Sequence, residues 1–325
     1  MGRPREADPS PSASTITVAV AGLANLGVAL AKIVGALISG SAAMVSEAAH
    51  SLADTITEVL LFIAIRRGRR PADEAHPFGH GRETYLWALL AALATFAAGA
   101  GVSVFEGVSK LHGGAETGDP LVSFIVLAAA FVIEAVSLLR GLAQLRGNAR
   151  RWNLRPLDYL RVMTDTPLKA VTFEDIAALV GLVFAATGLA LSQATGSATW
   201  DGVASILIGL LLATTAFVLV RANSELLIGR TAPPEVNRLL RNELELLPEV
   251  LSVPVLLTTV LGPERFMVAA KVEFADGLTA DDIERVADEA ERRLVAVFPG
   301  IEMVFLDPTR SQVDRTTGSG TEPGR

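Results

Sequence analysis

A bundle of six membrane-spanning helices followed by a small cytoplasmic α+β domain is the fold class this sequence predicts. Three observations carry that prediction: an apolar composition, six long apolar runs, and a change of periodicity in the last third of the chain. Half of the 325 residues are apolar and only 19% are charged. Mean hydropathy is +0.43, a balance that leaves much apolar surface for lipid to cover.

Crossing the hydrocarbon core takes about 20 mostly apolar residues in a helix. The runs that meet this length are about Thr15–Ile38, Ala42–Ile65, Tyr85–Phe105, Leu121–Leu139, Val171–Leu191 and Gly202–Val220. The first is too long for a signal-peptide core and has no convincing cleavage site, so it reads as a retained span behind a flexible Pro/Ser-rich tail, residues 1–14. Arginines cluster after the second run (Arg66, Arg67, Arg69, Arg70) and between the fourth and fifth (Arg140, Arg146, Arg150, Arg151, Arg155, Arg161), whereas the intervening loops carry only Lys110. By the positive-inside rule the arginine-rich loops face the cytoplasm, and an even number of spans puts both termini there too.

Residues 15–223 thus form the expected membrane domain and residues 224–308 the soluble one, with a disordered Thr/Gly/Ser-rich tail over 309–325. In the soluble part Val236, Leu239, Leu240, Leu244 and Leu247 recur at helical spacing. Val250–Leu261 and Arg265–Phe274 read as a hairpin around Gly262-Pro263, the second strand alternating Phe266, Val268, Ala270, Val272 and Phe274 against more polar neighbours. A second helix over Thr279–Phe298 and a strand near Glu302–Leu306 complete an α-β-β-α-β order, the pattern of a ferredoxin-like or metallochaperone-like module.

Cysteine is absent, which excludes disulfides, thiolate metal sites and cysteine nucleophiles and restricts any metal chemistry to nitrogen and oxygen ligands. From position 231 onward there are ten basic and seventeen acidic side chains, against eighteen of each before it. The net charge of −7 therefore sits in the soluble domain, the opposite of a nucleic-acid footprint.

The second span carries Glu47, His50, Asp54 and Glu58 on one helical stripe, spaced by three and four residues. An ionisable side chain at mid-membrane costs about 2.5–3.5 kcal/mol on insertion scales, so four on one face require a polar cavity or a compensating cation. His and Asp at i, i+4 aim a nitrogen and a carboxylate at one volume, as metal ligation needs. A helix-packing hydrogen-bond network is the structural alternative. Glu174 and Asp175 begin the apolar part of the fifth span and complete a nitrogen/oxygen set if the two helices are neighbours; otherwise they start and cap that helix.

Asn25 in the first span reaches for the same cavity or serves as helix-packing glue. Lys32 and Glu134 are intramembrane as well, with structural pairing, or snorkelling of Lys32 to a helix end, as their expected roles. The loop after the second span places Asp73, His76 and His80 together, a second candidate metal site whose alternative is a solvated turn. His112 has no evident partner.

Ser39-Gly40-Ser41-Ala42-Ala43, Ser46-Glu47-Ala48-Ala49-His50-Ser51-Leu52-Ala53-Asp54, His76-Pro77-Phe78-Gly79-His80-Gly81, Asp201-Gly202 and the α+β tail together resemble the cation diffusion facilitator family over roughly residues 15–308. The resemblance implies a non-enzymatic, six-helix, proton-coupled exporter of divalent metal working as a homodimer in the lipid bilayer; the Ala/Arg-rich composition points to a bacterial plasma membrane, with an organelle membrane as the alternative. His50 and Asp54 match the family's second-helix ligands, Asp175 its fifth-helix carboxylate, and Asp73, His76 and His80 its loop site. Val171 stands where the family usually has a ligand, and the Glu174-Asp175 pair is similar to a zinc-exporter branch with Glu-Asp there. Glu47 and Asn25 are possible accessory groups.

The expected cargo is Zn2+, with Mn2+, Fe2+ and Co2+ as alternatives, and no organic cofactor is implied. Metal binding needs neutral imidazole and ionised carboxylates, so protons and metal compete for one site. The rival reading from another class is a non-transporting membrane sensor or receptor for metal. An intramembrane metallohydrolase is disfavoured because no His-Glu-x-x-His helix is present.

Overall fold

The computed structural model describes residues 26–113, 120–151, 155–157 and 166–310. The expectations for the tail 1–14, for the first half of the first span including Asn25, for Arg161 and for residues beyond 310 lie outside these. Helices are α1 (Leu26–Ser39), α2 (Ala42–Gly68), α3 (Glu83–Leu111), α4 (Leu121–Arg151), α5 (Thr166–Thr195) and α6 (Thr199–Ile228). Among the described residues five helices, α2 to α6, are long and apolar enough to cross a membrane, and the described part of α1 is a shorter apolar helix.

Each of α2 to α6 outruns its apolar sequence because the polar ends keep helical hydrogen bonding past the hydrocarbon boundary. That matters most in α5. The helix starts at Thr166, so Glu174 and Asp175 stand two turns inside it and do not cap its N-terminus. In α1 the face made by Ala29, Lys32 and Ala36 is buried, while Leu30, Val34 and Leu37 are exposed on the side available to lipid.

Small residues set the helix spacing. A side-chain carbon on Gly107 of α3 would come 2.7 Å from the Gly202 carbonyl oxygen of α6, and one on Gly202 would come 2.9 Å from the Gly107 carbonyl oxygen. Glycine lets the two backbones touch, the usual basis of close packing between membrane helices. Ala43, Met44, Leu182, Ala204, Ile208 and Leu212 form the core between α2, α5 and α6. Helix α3 widens to π-helical hydrogen bonding over Thr95–Ala100, a local irregularity often placed at functional sites. Thr95 there is buried, its Oγ1 3.1 Å from Thr57 Oγ1 of α2.

Asp201, at the start of α6, is fully buried and caps a different helix. Its carboxylate accepts from the Ala42 amide (2.6 Å), the Ala43 amide (3.2 Å) and the Ser41 hydroxyl (2.5 Å), while Ser41 Oγ also accepts from the Met44 amide at 3.2 Å. These are donors that the first turn of α2 cannot satisfy within itself.

The second unit comprises residues 71–82 and the chain from Leu226 onward. It contains α7 (Pro234–Glu245), β1 (Val250–Gly262), β2 (Arg265–Phe274), α8 (Ala280–Val297) and β3 (Ile301–Pro308), the α-β-β-α-β order that the sequence predicts. The sheet order is β1-β2-β3, antiparallel for β1/β2 and parallel for β2/β3. A parallel pair needs a crossover, and α8 supplies it. Phe266, Val268, Ala270 and Val272 are buried on one face of β2, as the period of two requires, and Val286, Ala290 and Leu294 of α8 are buried too. Leu239 departs from the expectation: at 41% exposure it lies outside the core that Leu240 and Leu244 enter.

Candidate functional site

Helix α2 packs against α3 and α5, and α5 packs against α4. This arrangement answers the conditional left open by the sequence, because the two candidate ligand helices are neighbours. Between them is a polar cavity of about 50 Å3 lined by Asp54 and Glu58 of α2, Glu134 of α4, and Glu174 and Asp175 of α5. Such a volume holds a few waters or an ion and excludes an organic substrate. Ser51 and Ser137 also reach its wall, and the Ser137 hydroxyl donates to Asp175 at 2.9 Å.

His50 is completely buried one helical turn before Asp54, with Nδ1 3.3 Å from Asp54 Oδ1. Neither ring nitrogen has a hydrogen-bond partner, nor do Asp54 Oδ1 and Glu174 Oε1. Buried polar atoms in native folds are nearly always paired, so such oxygens of Asp54 and Glu174 on the cavity wall, with the His50 ring beside Asp54, call for a polar guest. Nitrogen and carboxylate oxygen fit a divalent cation of the zinc and manganese class. The side chains are more widely spread than a closed coordination shell. Among the described residues only Asp73, His76 and His80 have ligand atoms all within 4.8 Å of one another, so an ion shared between α2 and α5 calls for rotation of side chains toward the cavity centre.

Of the two roles expected for Lys32, structural pairing is the one found. Lys32 does not snorkel: it is fully buried, and its ammonium donates to Glu47 Oε2 at 2.9 Å and Ser51 Oγ at 2.7 Å. Glu134 stands on the cavity wall. Ser51 and Ser137 carry no sequence signal of their own; a search for small hydroxyl residues one turn from each intramembrane acid would have found Ser137, three residues after Glu134, but only with the helix pairing known. His112 sits apart, its Nδ1 2.8 Å from the Val108 carbonyl oxygen.

The loop site belongs to the second unit. Asp73 organises it: its Oδ1 accepts from the amides of Ala75 (3.0 Å) and His76 (2.7 Å), and its Oδ2 lies 2.9 Å from His80 Nε2. The two imidazoles face each other with ring centroids 4.2 Å apart. Gly81 locks the loop to the β1–β2 turn, since a Cβ there would collide with the Leu261 carbonyl oxygen, and Arg82 donates to the Val260 carbonyl and the Thr259 hydroxyl at 3.2 Å each.

The hydrogen bond from His80, and after it the His76 amide, hold the Asp73 carboxyl well below the ordinary carboxylate range. A lowered folded-state value means stabilisation that is complete above about pH 4, the unfolded Asp value, and lost as pH falls toward the folded value. Asp73→Asn is therefore expected to raise hydrogen exchange at the amides of residues 75 and 76 at neutral pH by about tenfold, one net hydrogen bond's worth. Unchanged exchange would mean that the carboxylate does not order this turn.

Five helices long and apolar enough to cross a membrane, with an ion-sized polar cavity between them, make this a multi-pass membrane protein. Residues 18–228 match the cation efflux transmembrane domain, and the chain belongs to the cation efflux family, the cation diffusion facilitators. It is 32% identical over 290 residues to the proton-coupled zinc antiporter SLC30A9, mitochondrial, of Xenopus laevis, covering 87% of this chain and 51% of that protein. With metal tolerance protein C4 of Arabidopsis thaliana it shares 31% identity over 240 residues, 73% of this chain and 52% of that one. The cation-efflux pump FieF of Escherichia coli (O1:K1 / APEC) is 25% identical over 303 residues, 93% and 94% of the two chains. The chain thus spans about half the length of the zinc antiporter and the tolerance protein, and nearly all of the bacterial pump.

Proposed function

We propose that this protein is a proton-coupled antiporter that exports divalent metal cations, zinc foremost, from the cytoplasm as a homodimer, with His50, Asp54, Asp175 and Glu174 as the transport site. The observation that carries the reading is the buried cavity walled by carboxylates of three helices, with the unpartnered His50 ring beside Asp54. Cargo enters from the cytoplasm and binds neutral imidazole and ionised carboxylate. The bundle then opens to the other side, and protons arriving there take the ligand atoms and release the metal. Relatives named as a zinc antiporter and a cation-efflux pump support the class of cargo. The arginine-rich loops support cytoplasmic termini, and a bacterial plasma membrane is the location proposed.

The experiment is flux into vesicles holding the purified protein, comparing zinc, manganese, iron and cobalt with and without a pH gradient. Zinc movement accelerated by an opposing proton gradient is the expected result. A non-transporting metal sensor is the second reading, favoured by the compact Asp73, His76 and His80 cluster, which sits within the soluble unit; such a protein would bind zinc in this assay and move none. His50→Asp is expected to shift selectivity toward manganese in a competition assay, because hard oxygen replaces the one nitrogen ligand. An unchanged metal profile would remove His50 from the site.

A further inference from the structure

We propose that Lys32 is a resident cation behind the wall of the translocation cavity, a positioning residue whose charge sets how tightly the divalent cargo is held. This rests on the export reading above only for its consequence on flux; its consequence on binding stands separately. Among the described residues Lys32 is the one buried Lys or Arg. It approaches from α1, outside the helices that supply the carboxylates, and both of its hydrogen bonds go to the α2 stripe, to Glu47 and to Ser51 on the cavity wall. Ser51, the acceptor of the shorter bond, lines the cavity together with Asp54 and Glu134. Glu47 keeps a second oxygen, Oε1, with no hydrogen-bond partner, and Gly181 of α5 gives it room, since a Cβ there would stand 2.5 Å from that oxygen.

A pair that only joined helices would be a poor choice here. Burying an ammonium and a carboxylate costs desolvation that an apolar pair of equal volume avoids. What the ammonium adds is a positive charge beside a wall of acids. A doubly charged ion entering that cavity is attracted by the carboxylates and repelled by Lys32. Binding is weakened, and departure of the ion is correspondingly eased, as a carrier that must let go of its cargo requires. In the metal-free state the same ammonium offsets part of the mutual repulsion of the acids.

The test uses the full-length protein and zinc itself. Lys32→Gln keeps hydrogen-bonding capacity toward Glu47 and Ser51 but removes the charge; Lys32→Met serves as the neutral replacement if the Gln variant does not fold. Equilibrium zinc binding is measured beside vesicle flux. The neutral variant is expected to bind zinc about tenfold more tightly, the scale of one unit charge at a partly buried site, with a lower KM for transport and a lower kcat. Lys32→Arg, which keeps the charge, is expected to stay within about twofold of the unaltered protein. A brace whose loss merely loosened the helices would weaken binding, so unchanged or weaker zinc binding by the neutral variant overturns the proposal. The two readings fail separately: no flux in the unaltered protein, with tighter binding in the neutral variant, removes the export reading and leaves the role of Lys32 intact.

Discussion

Asp54→Ala is expected to abolish zinc flux while leaving a folded protein. Asp54 stands where the α2 stripe meets the cavity, 3.3 Å from the His50 ring and with an oxygen that has no hydrogen-bond partner. Loss of a residue that merely supports a metal ligand costs about 10–100-fold in affinity or activity, so loss of a ligand should exceed 100-fold in flux. The fold should survive, because the substitution removes an acid that sits among other acids and breaks no hydrogen bond within the bundle. Flux in vesicles, read beside the melting temperature of the same preparation, separates the two effects. Near-normal flux from Asp54→Ala would end the site assignment.

The largest stability effect is expected from Asp201→Ala. Its carboxylate serves two backbone amides and a hydroxyl at the first turn of α2, and the residue is completely buried. Losing a cap costs about 0.5–2 kcal/mol, and each buried donor left unsatisfied adds about 1–3 kcal/mol. A loss of about 3–5 kcal/mol, or a melting temperature lower by roughly 10 °C, is the expected outcome in detergent. Asp201→Asn retains one acceptor oxygen and should lose less. Flux should fall in both variants in proportion to the folded fraction, because the residue positions the helix that carries His50 and Asp54 and is not on the cavity wall. An unchanged melting temperature for Asp201→Ala would show that α2 starts without this cap.

Much of this arrangement is legible in the sequence, and the boundary between legible and hidden follows from distance along the chain. The stripe of Glu47, His50, Asp54 and Glu58 is visible because helical spacing relates residues three and four apart. The hairpin of β1 and β2 is visible because a strand buried on one face alternates. Contacts between remote segments leave no such trace. Asp201 meets Ser41 across 160 positions, and Ser137 meets Asp175 across 38; only the packing of α4 on α5 and of α6 on α2 creates those pairs. Lys32 shows the same limit. A lysine near the end of an apolar run reads equally well as a snorkelling side chain or a buried pair, and the difference depends on which face of α1 meets α2.

The two candidate metal sites were legible to different degrees for a related reason. His76 and His80 are four residues apart in a loop, where spacing fixes no geometry. The loop backbone, held by the Asp73 carboxylate and by Gly81 against the β1–β2 turn, brings their rings together. In the membrane, spacing fixes the α2 half of the site in advance, and the α5 half depends on where that helix begins. A start at Val171 would make Glu174 and Asp175 terminal residues facing water. The start at Thr166 carries them two turns inward and onto the cavity wall.

The most direct test of the central claim is an anomalous-scattering map of zinc-loaded protein crystals, recorded at the zinc edge. Zinc is expected between α2 and α5, with a His50 nitrogen and oxygens of Asp54 and of Glu174 or Asp175 each at about 2.0–2.2 Å from the ion. Zinc bound only at Asp73, His76 and His80, with none between α2 and α5 under conditions where vesicles show flux, would contradict it.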